Sequence, residues 1–314
     1  KKHFCKLIRR QFCEKRFPEW VGKSFLVGGK TSSQSIEHSA CVCCNSSMPK
    51  KRGNENRALY IHIPFCRSKF DFYVFYSEPI RRCDSEPAVR AILCEMKRYE
   101  SGCRFSSVYL GGGSPSSLPG YLLLSLVRAA ATRLRPEGEF TVEINPEQAD
   151  EKLFESLKEA GVNLLSFGAQ SLRSEELEFL GRSHSVSHSY QAVLAAGRAG
   201  FDNISIDLIF ATPGQSLDNW RYCLAEAVKL DVRHISVYSL SYEKNTPLYR
   251  SLLAGKVKPA DEELERQMYE LAIDKLEATG FAQYEISNFA TPSFSCEHNL
   301  NYWAGGEYIG IGPS

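Results

Sequence analysis

Neither sign of charge dominates this chain: 38 Lys and Arg face 37 Asp and Glu, a net charge of +1 over 314 residues. A nucleic-acid surface draws on clustered excess Lys and Arg, so this balance argues against one. No apolar run approaches the ~18 residues that cross a bilayer, and no membrane span is expected. No secretory segment is visible. The 11 cysteines are scattered through a chain too long to need disulfide staples, which suits a reducing compartment. The cytoplasm is the expected location, with an organelle left open because the first residue is Lys1 rather than Met. Cys41-Val42-Cys43-Cys44 lacks a second Cys and His cluster at finger spacing, so these thiols read as incidental. No His-x-His pair exists either. A zinc or non-haem iron enzyme using His62 and His234 is therefore only a weak alternative.

Residues 1 to 57 show no sustained period and are rich in Ser, Gly and Lys from Val27 to Asn56, the composition of a flexible extension. From Leu59 the pattern becomes strand, turn, helix, repeated. Strands are expected at Leu59–Ile63, Ser107–Leu110, Phe140–Ile144, Leu164–Phe167, Asn203–Phe210 and His234–Leu240. Between them lie apolar stripes at helical spacing. Leu153, Phe154, Leu157 and Ala160 precede Gly161; Tyr190, Val193, Leu194 and Gly197 precede Gly200. Trp220, Leu224 and Val228 follow a candidate N-cap at Asp218, and Leu264, Met268, Leu271 and Leu276 run to Gly280. Alternating strands and amphipathic helices imply an α/β fold with parallel pairing. Six units rather than eight imply a partial, open (βα)6 TIM-like barrel over residues 58–258. A further region, 259–314, is expected to be cut short inside the glycine-rich run that ends at Ser314.

In such barrels chemistry collects at the C-terminal ends of the strands. Gly111-Gly112-Gly113-Ser114-Pro115 follows the second strand, and its backbone N–H groups are expected to be open to a ligand carboxylate. Glu143 lies in the apolar strand FTVEI and either faces a polar ligand or points to solvent. Gln170, Arg182 and Asp207 stand at or near later strand ends, each readable as an ordinary hydrogen-bonding residue or as a ligand contact. His298, in HNLNYW, is either a core imidazole or, beside flat apolar neighbours, an axial haem ligand.

The stretch from Tyr60 to Ser77, YIHIPFCRSKFDFYVFYS, resembles the cluster loop of radical S-adenosylmethionine (SAM) proteins, specifically the oxygen-independent coproporphyrinogen III oxidase family and its HemW branch. The segments YEISNF (Tyr284–Phe289) and HNLNYW (His298–Trp303) are similar to those of the HemW branch. The resemblance implies a six-unit three-quarter barrel with SAM contacts at Tyr60, Gly112, Gly113, Ser114, Glu143, Gln170, Arg182 and Asp207. It also implies a [4Fe–4S] cluster on Cys-x3-Cys-x2-Cys and, in the parent chemistry, a SAM-derived radical that abstracts hydrogen from a porphyrinogen side chain. HemW members are regarded instead as haem chaperones. The implied partners are haem or a porphyrinogen and a haem-accepting protein.

This chain departs from the pattern where the cluster would be held. Cys66 is present, but the partner positions carry Phe70 and Tyr73. Phenylalanine has no donor atom, and a phenol with a pKa near ~10 is a poor iron ligand at neutral pH. Radical chemistry is therefore expected to be impaired. A non-catalytic protein that binds haem or SAM is the alternative.

Overall fold

A computed structural model describes residues 57–67, 72, 76–80, 85–99 and 104–313. The N-terminal extension, Cys41 to Cys44, Phe70 and Tyr73 lie outside the described residues. Asn56 to Ser314 form one compact unit.

All six expected strands form, and they are neighbours in the expected order. β1 (Ala58–Ile63), β4 (Phe105–Gly112), β5 (Leu134–Ile144), β6 (Leu164–Gln170), β7 (Ile204–Phe210) and β8 (His234–Ser239) make consecutive parallel pairs. A short parallel pair, β2 (Phe65–Cys66) with β3 (Glu78–Pro79), stands apart from this sheet. The last part of the chain adds strands to both sides. β10 (Asn288–Ala290) runs antiparallel to β8 and carries β9 (Ala282–Gln283), while β11 (Tyr308–Ile311) pairs in parallel with β1. The nine-stranded sheet ends at β11 and β9 without joining them, an open barrel.

Each strand alternates. Residues such as Ile61, Leu110, Val142, Phe167, Ile206 and Val237 are fully or almost fully buried and face the helices. The helices supply the other half of this core. In α3 (Glu151–Glu159) Phe154 meets Phe167 edge-on, with ring centroids 5.8 Å apart. In α6 (Leu217–Ala227) the Trp220 ring lies 5.6 Å from Phe210, and its indole N–H donates to the carbonyl of Met268 in α8 (Glu262–Glu277). The remaining helices are α1 (Ser85–Arg98), α2 (Gly120–Ala131), α4 (Ser174–Phe179), α5 (Val186–Arg198), α7 (Pro247–Leu253) and α9 (Glu297–Trp303).

Three local expectations change. α6 is capped by Ser216, whose hydroxyl accepts the Asn219 N–H; Asp218 lies two residues past the cap in the first turn, where its charge suits the positive helix end. In α5 Leu194 is 61% exposed, and the buried face is Ser189, Ala192, Val193 and Ala196. The helical phase that buries Ser189, Ala192, Val193 and Ala196 turns Leu194 outward. In α8 Leu264 and Leu271 are half-buried, while Met268, Tyr269, Ala272, Ile273 and Leu276 make the seam. Gly161, with φ +101°, closes α3 as its position predicts.

The inward-facing residues are unlike a filled barrel core, which is dominated by branched apolar side chains. Here they include Ser107, Tyr109, Thr141, Glu143, Ser166, Ser205, Asp207, His234, Ser236 and Tyr238. Residues 284–299 close the lower end of this polar interior. The Tyr284 hydroxyl pairs with His234 Nε2 at 2.7 Å and accepts N–H groups of Cys296 and Asn299, both at 3.3 Å. His234 Nδ1 pairs with Ser205 Oγ at 2.8 Å, so both ring nitrogens are used and a metal-ligand role is not supported. Burial pushes this imidazole down to about 4, which keeps it neutral. His62 is likewise occupied, with Nε2 2.8 Å from the Tyr76 carbonyl and Nδ1 3.2 Å from the Tyr60 hydroxyl.

Candidate functional site

The predicted site residues Tyr60, Gly112, Glu143, Gln170, Arg182 and Asp207 come together around the upper end of the polar interior. Tyr109 links two of them: its hydroxyl donates to Glu143 Oε1 at 2.8 Å, and its ring stands 6.1 Å from that of Tyr60. Glu143 also accepts the Gly112 N–H. Burial pushes its carboxyl up to about 8 and the nearby Asp207 adds to this, while the Tyr109 and Gly112 donors pull the other way. Asp207 is pushed up to about 6, again by burial, against hydrogen bonds from Ser236 and Ser166 and the positive charge of Arg182. The expected alternative for Glu143, an outward solvated carboxylate, does not hold.

Arg182 braces the turn after β6. Its Nη2 donates at 2.9 Å to both Asn145 Oδ1 and the Gly168 carbonyl, and its Nε donates to His184 Nδ1 at 3.3 Å. His184 Nε2 then pairs with the Ala169 carbonyl at 3.0 Å, and burial followed by the Arg182 charge pushes this imidazole down to about 4. A Cβ added at Gly168 would lie 3.0 Å from Gln170 Nε2 and 3.4 Å from Arg182 Nη2, so both side chains pass over this glycine. Gln170 itself has φ +64°, and the Ser171 N–H donates to the Ala169 carbonyl across it at 2.8 Å. That is a γ-turn with positive φ, a strained conformation that clusters at functional sites.

The glycine turn works differently from the expectation. The N–H groups of Gly113 and Ser114 donate to the Ile63 and Phe65 carbonyls, both at 2.7 Å, and that of Gly112 goes to Glu143. They are engaged within the protein rather than held open for a carboxylate. A Cβ at Gly113 would lie 2.5 Å from the Phe65 carbonyl oxygen, so the glycine is required by the close passage of the Pro64–Cys66 segment. The Ser114 hydroxyl turns to Ser116 and Gln148, at 3.1 and 3.3 Å. Cys66 ends the segment pinned by this turn, 2% exposed, with its carbonyl accepting the Ile80 N–H at 2.9 Å. Phe72, farther along the same loop, packs on the apolar cluster Leu180, Ile209, Leu240 and Leu248 at the strand ends.

His298 borders this set, with its ring 6.4 Å from that of Tyr60. It is 1% exposed in α9, its Nδ1 pairs with Ser107 Oγ at 2.9 Å, and its ring packs 5.0 Å from both Tyr109 and Tyr302. Haem ligation by His298 stays a proposal from the sequence: Nδ1 is taken by Ser107, while the buried Nε2 has no hydrogen-bond partner among the described residues. Tyr109, Asn145, His184 and Tyr238 were not singled out from the sequence as site residues. The alternation in SVYL and HISVYS that turns Tyr109 and Tyr238 inward was the available signal; Asn145 and His184 carried none.

The coupled carboxyls make a pH prediction. A carboxyl raised in the folded state binds its proton more tightly there than in the unfolded chain, so stability falls as pH rises between the two pKa values. For Glu143 that window runs from the ordinary value near 4.5 to about 8. Glu143→Gln is expected to gain stability over the parent across this window and to level off above it. The gain should reach on the order of 2 kcal/mol, allowing for partial solvent screening. Urea unfolding of both chains from pH 5 to 9 checks this, and a constant offset across the series would contradict the placement of Glu143.

Comparison with known proteins agrees with this architecture. Residues 60–226 match the model of the radical SAM superfamily. The chain is 37% identical over 264 residues to a Bacillus subtilis protein named haem chaperone HemW, covering 82% of this chain and 69% of that one. It is 35% identical over 262 residues to a Danio rerio protein named radical S-adenosyl methionine domain-containing protein 1, mitochondrial, covering 82% and 59%. Against the HemW of Escherichia coli it is 35% identical over 261 residues, covering 81% and 68%. The chain thus spans roughly two thirds of the length of these curated relatives. Among solved structures, coproporphyrinogen III oxidase (HemN) from Escherichia coli superposes with a TM-score of 0.71 at 21% identity, covering 83% of this chain and 64% of that one, which bears on the fold alone. With an open six-strand parallel core and this degree of identity, the chain belongs to the radical SAM superfamily, in its HemW branch.

Proposed function

We propose that this chain binds SAM at the upper end of the barrel without cleaving it, and serves in the handling of haem or a related porphyrin. One observation carries the reading: the buried carboxyls of Glu143 and Asp207 lie in the polar interior with a strained Gln170 at a strand end, while of the three cluster cysteines the sequence has only Cys66. The residues present fit the nucleotide. Glu143, protonated at neutral pH, offers an O–H donor and an acceptor oxygen to a pair of ribose hydroxyls. Asp207, ionised at neutral pH, sets a negative potential for a sulfonium cation, and Gln170 offers both a donor and an acceptor. Bound SAM would supply an alkyl sulfonium and an adenine ring; this chain's residues bind and orient it.

The residues do not fit a [4Fe–4S] cluster. Such clusters are held by several thiolates, and the loop carries Cys66 with Phe70 and Tyr73 in the partner positions. No radical step is therefore assigned. The haem part of the reading rests on the relatives named haem chaperones and extends to hand-over to a haem-accepting protein. A reducing compartment, cytoplasm or organelle, is consistent with the relatives and with the cysteine usage. Among the described residues no helix is long and apolar enough to cross a membrane.

Calorimetric titration of SAM into the purified chain is expected to show saturable binding that weakens about tenfold in Asp207→Ala, a loss of ~1.4 kcal/mol. Chromatography after incubation with a strong reductant should recover SAM intact. Absence of heat, or release of 5′-deoxyadenosine, would overturn the SAM reading. A haem titration followed by absorbance tests the other part, which fails if the spectrum is that of free haem throughout.

A further inference from the structure

Four non-glycine residues among those described have positive φ: Gln170, Ala211, Asn245 and Ser293. Two of them stand at the ends of neighbouring strands where the candidate site lies: Gln170 is the last residue of β6, and Ala211 directly follows β7. Both turns are tied to the same side chain. Glu176 in α4 is 7% exposed, and its Oε2 accepts from Ser171 Oγ at 2.6 Å and from Gln215 Nε2 at 3.0 Å. Ser171 directly follows Gln170. Gln215 in turn uses its Oε1 to accept the Ala211 N–H at 2.8 Å. Cys223 from α6 lies 3.7 Å from the same oxygen, and Arg173 Nε stands 3.4 Å from Oε1.

A buried carboxylate without a full set of partners is costly, and strained turns persist only where their surroundings over-determine them. Each supplies what the other needs: the turns present donors, and the carboxylate fixes them. We propose that Glu176 is a positioning residue, a clamp that holds the turns after β6 and β7 together and so sets the orientation of Gln170 toward its ligand. The inference rests on SAM binding at Gln170 as read above. Glu176 does not itself line the site; it acts through Ser171 and Gln215.

The test compares the parent chain with Glu176→Ala, Glu176→Gln and a control, Leu126→Ala. The control removes fully buried volume from α2, away from the site, and loses thermal stability without touching either turn. SAM affinity is measured by calorimetry well below every melting temperature. Backbone amide exchange is followed at Gln170–Leu172 and Ala211–Gln215. Glu176→Ala should weaken SAM binding at least tenfold and speed exchange in both turns at once. Glu176→Gln, which keeps an acceptor oxygen, should restore affinity to within about threefold of the parent. Leu126→Ala should leave affinity and both turns unchanged.

Equal weakening in Glu176→Ala and Leu126→Ala would reduce Glu176 to a general structural role and overturn the proposal, as would unchanged SAM affinity in Glu176→Ala. Faster exchange in one turn alone would also overturn it. A parent chain that gives no heat with SAM fails at a different point: the SAM reading falls first, and the positioning role for Gln170 falls with it.

Discussion

Anaerobic reconstitution with iron and sulfide should leave the parent chain essentially free of cluster, while the Phe70→Cys, Tyr73→Cys double variant takes up about four irons and the broad visible absorbance of a [4Fe–4S] centre. The expectation follows from donor chemistry, since a phenyl ring offers no lone pair and a phenol holds its proton at neutral pH. Cys66 sits at the end of β2, on a segment held by the Gly113 and Ser114 N–H groups and closed on the other side by β3. Adding Cys66→Ala to the double variant should abolish uptake again, which separates cluster assembly from adventitious iron on other thiols. Four irons and inorganic sulfide bound by the parent would mean that another residue supplies the missing ligands, and the non-cleaving reading would fail.

Glu139→Ala should be among the most destabilising changes available on the lower side of the barrel. The buried Glu139 carboxyl accepts from Cys296 Sγ at 3.0 Å, from the Glu297 N–H at 2.8 Å and from the His298 N–H at 3.1 Å. Burial raises its pKa, against those three donors. Removing it strands donors at the start of α9, for a loss of about 3 to 5 kcal/mol. In a domain of this size that corresponds to a fall of roughly 10 °C in melting temperature. Glu139→Gln keeps one acceptor oxygen and should recover part of the loss. The carboxyl borders a groove of about 340 Å³ lined also by Glu137, Asp202, Phe294 and Glu297. A fall of less than about 2 °C would mean that water from this groove takes over the orphaned donors.

Strand alternation carried much of the fold. All six parallel strands were legible because each presents an apolar residue every second position toward the helices, a local pattern that needs no partner to recognise. The same alternation held a second message that was not read. In SVYL, FTVEI, NISIDLIF and HISVYS the intervening residues are Ser, Tyr, Thr, Glu and Asp, and these make the polar interior. Glu143 and Asp207 were found as individuals, whereas Tyr109 and Tyr238, in the same pattern, were not. Other features depend on contacts across long stretches of sequence. Nothing local distinguishes Glu139 from a surface carboxylate; its role is set by residues some 157 positions later. The glycine turn was legible as a close approach, but whether backbone or ligand makes the approach is decided only when Pro64–Cys66 is packed beside it.

The pairing of β1 with β11 has a consequence for how the chain reaches this state. Arg57 and Glu307 bridge the two strands at their start, 250 positions apart in sequence. Among the described residues β1 is the first strand to leave the ribosome, yet its outer edge gains a partner only after residue 311 has been made. Until then a row of unpaired amides and carbonyls on an Ile- and Leu-rich strand is available to other chains. Closing so long a loop is slow. The nascent protein should therefore depend on chaperones until β11 emerges, and chains released before β11 should aggregate through β1.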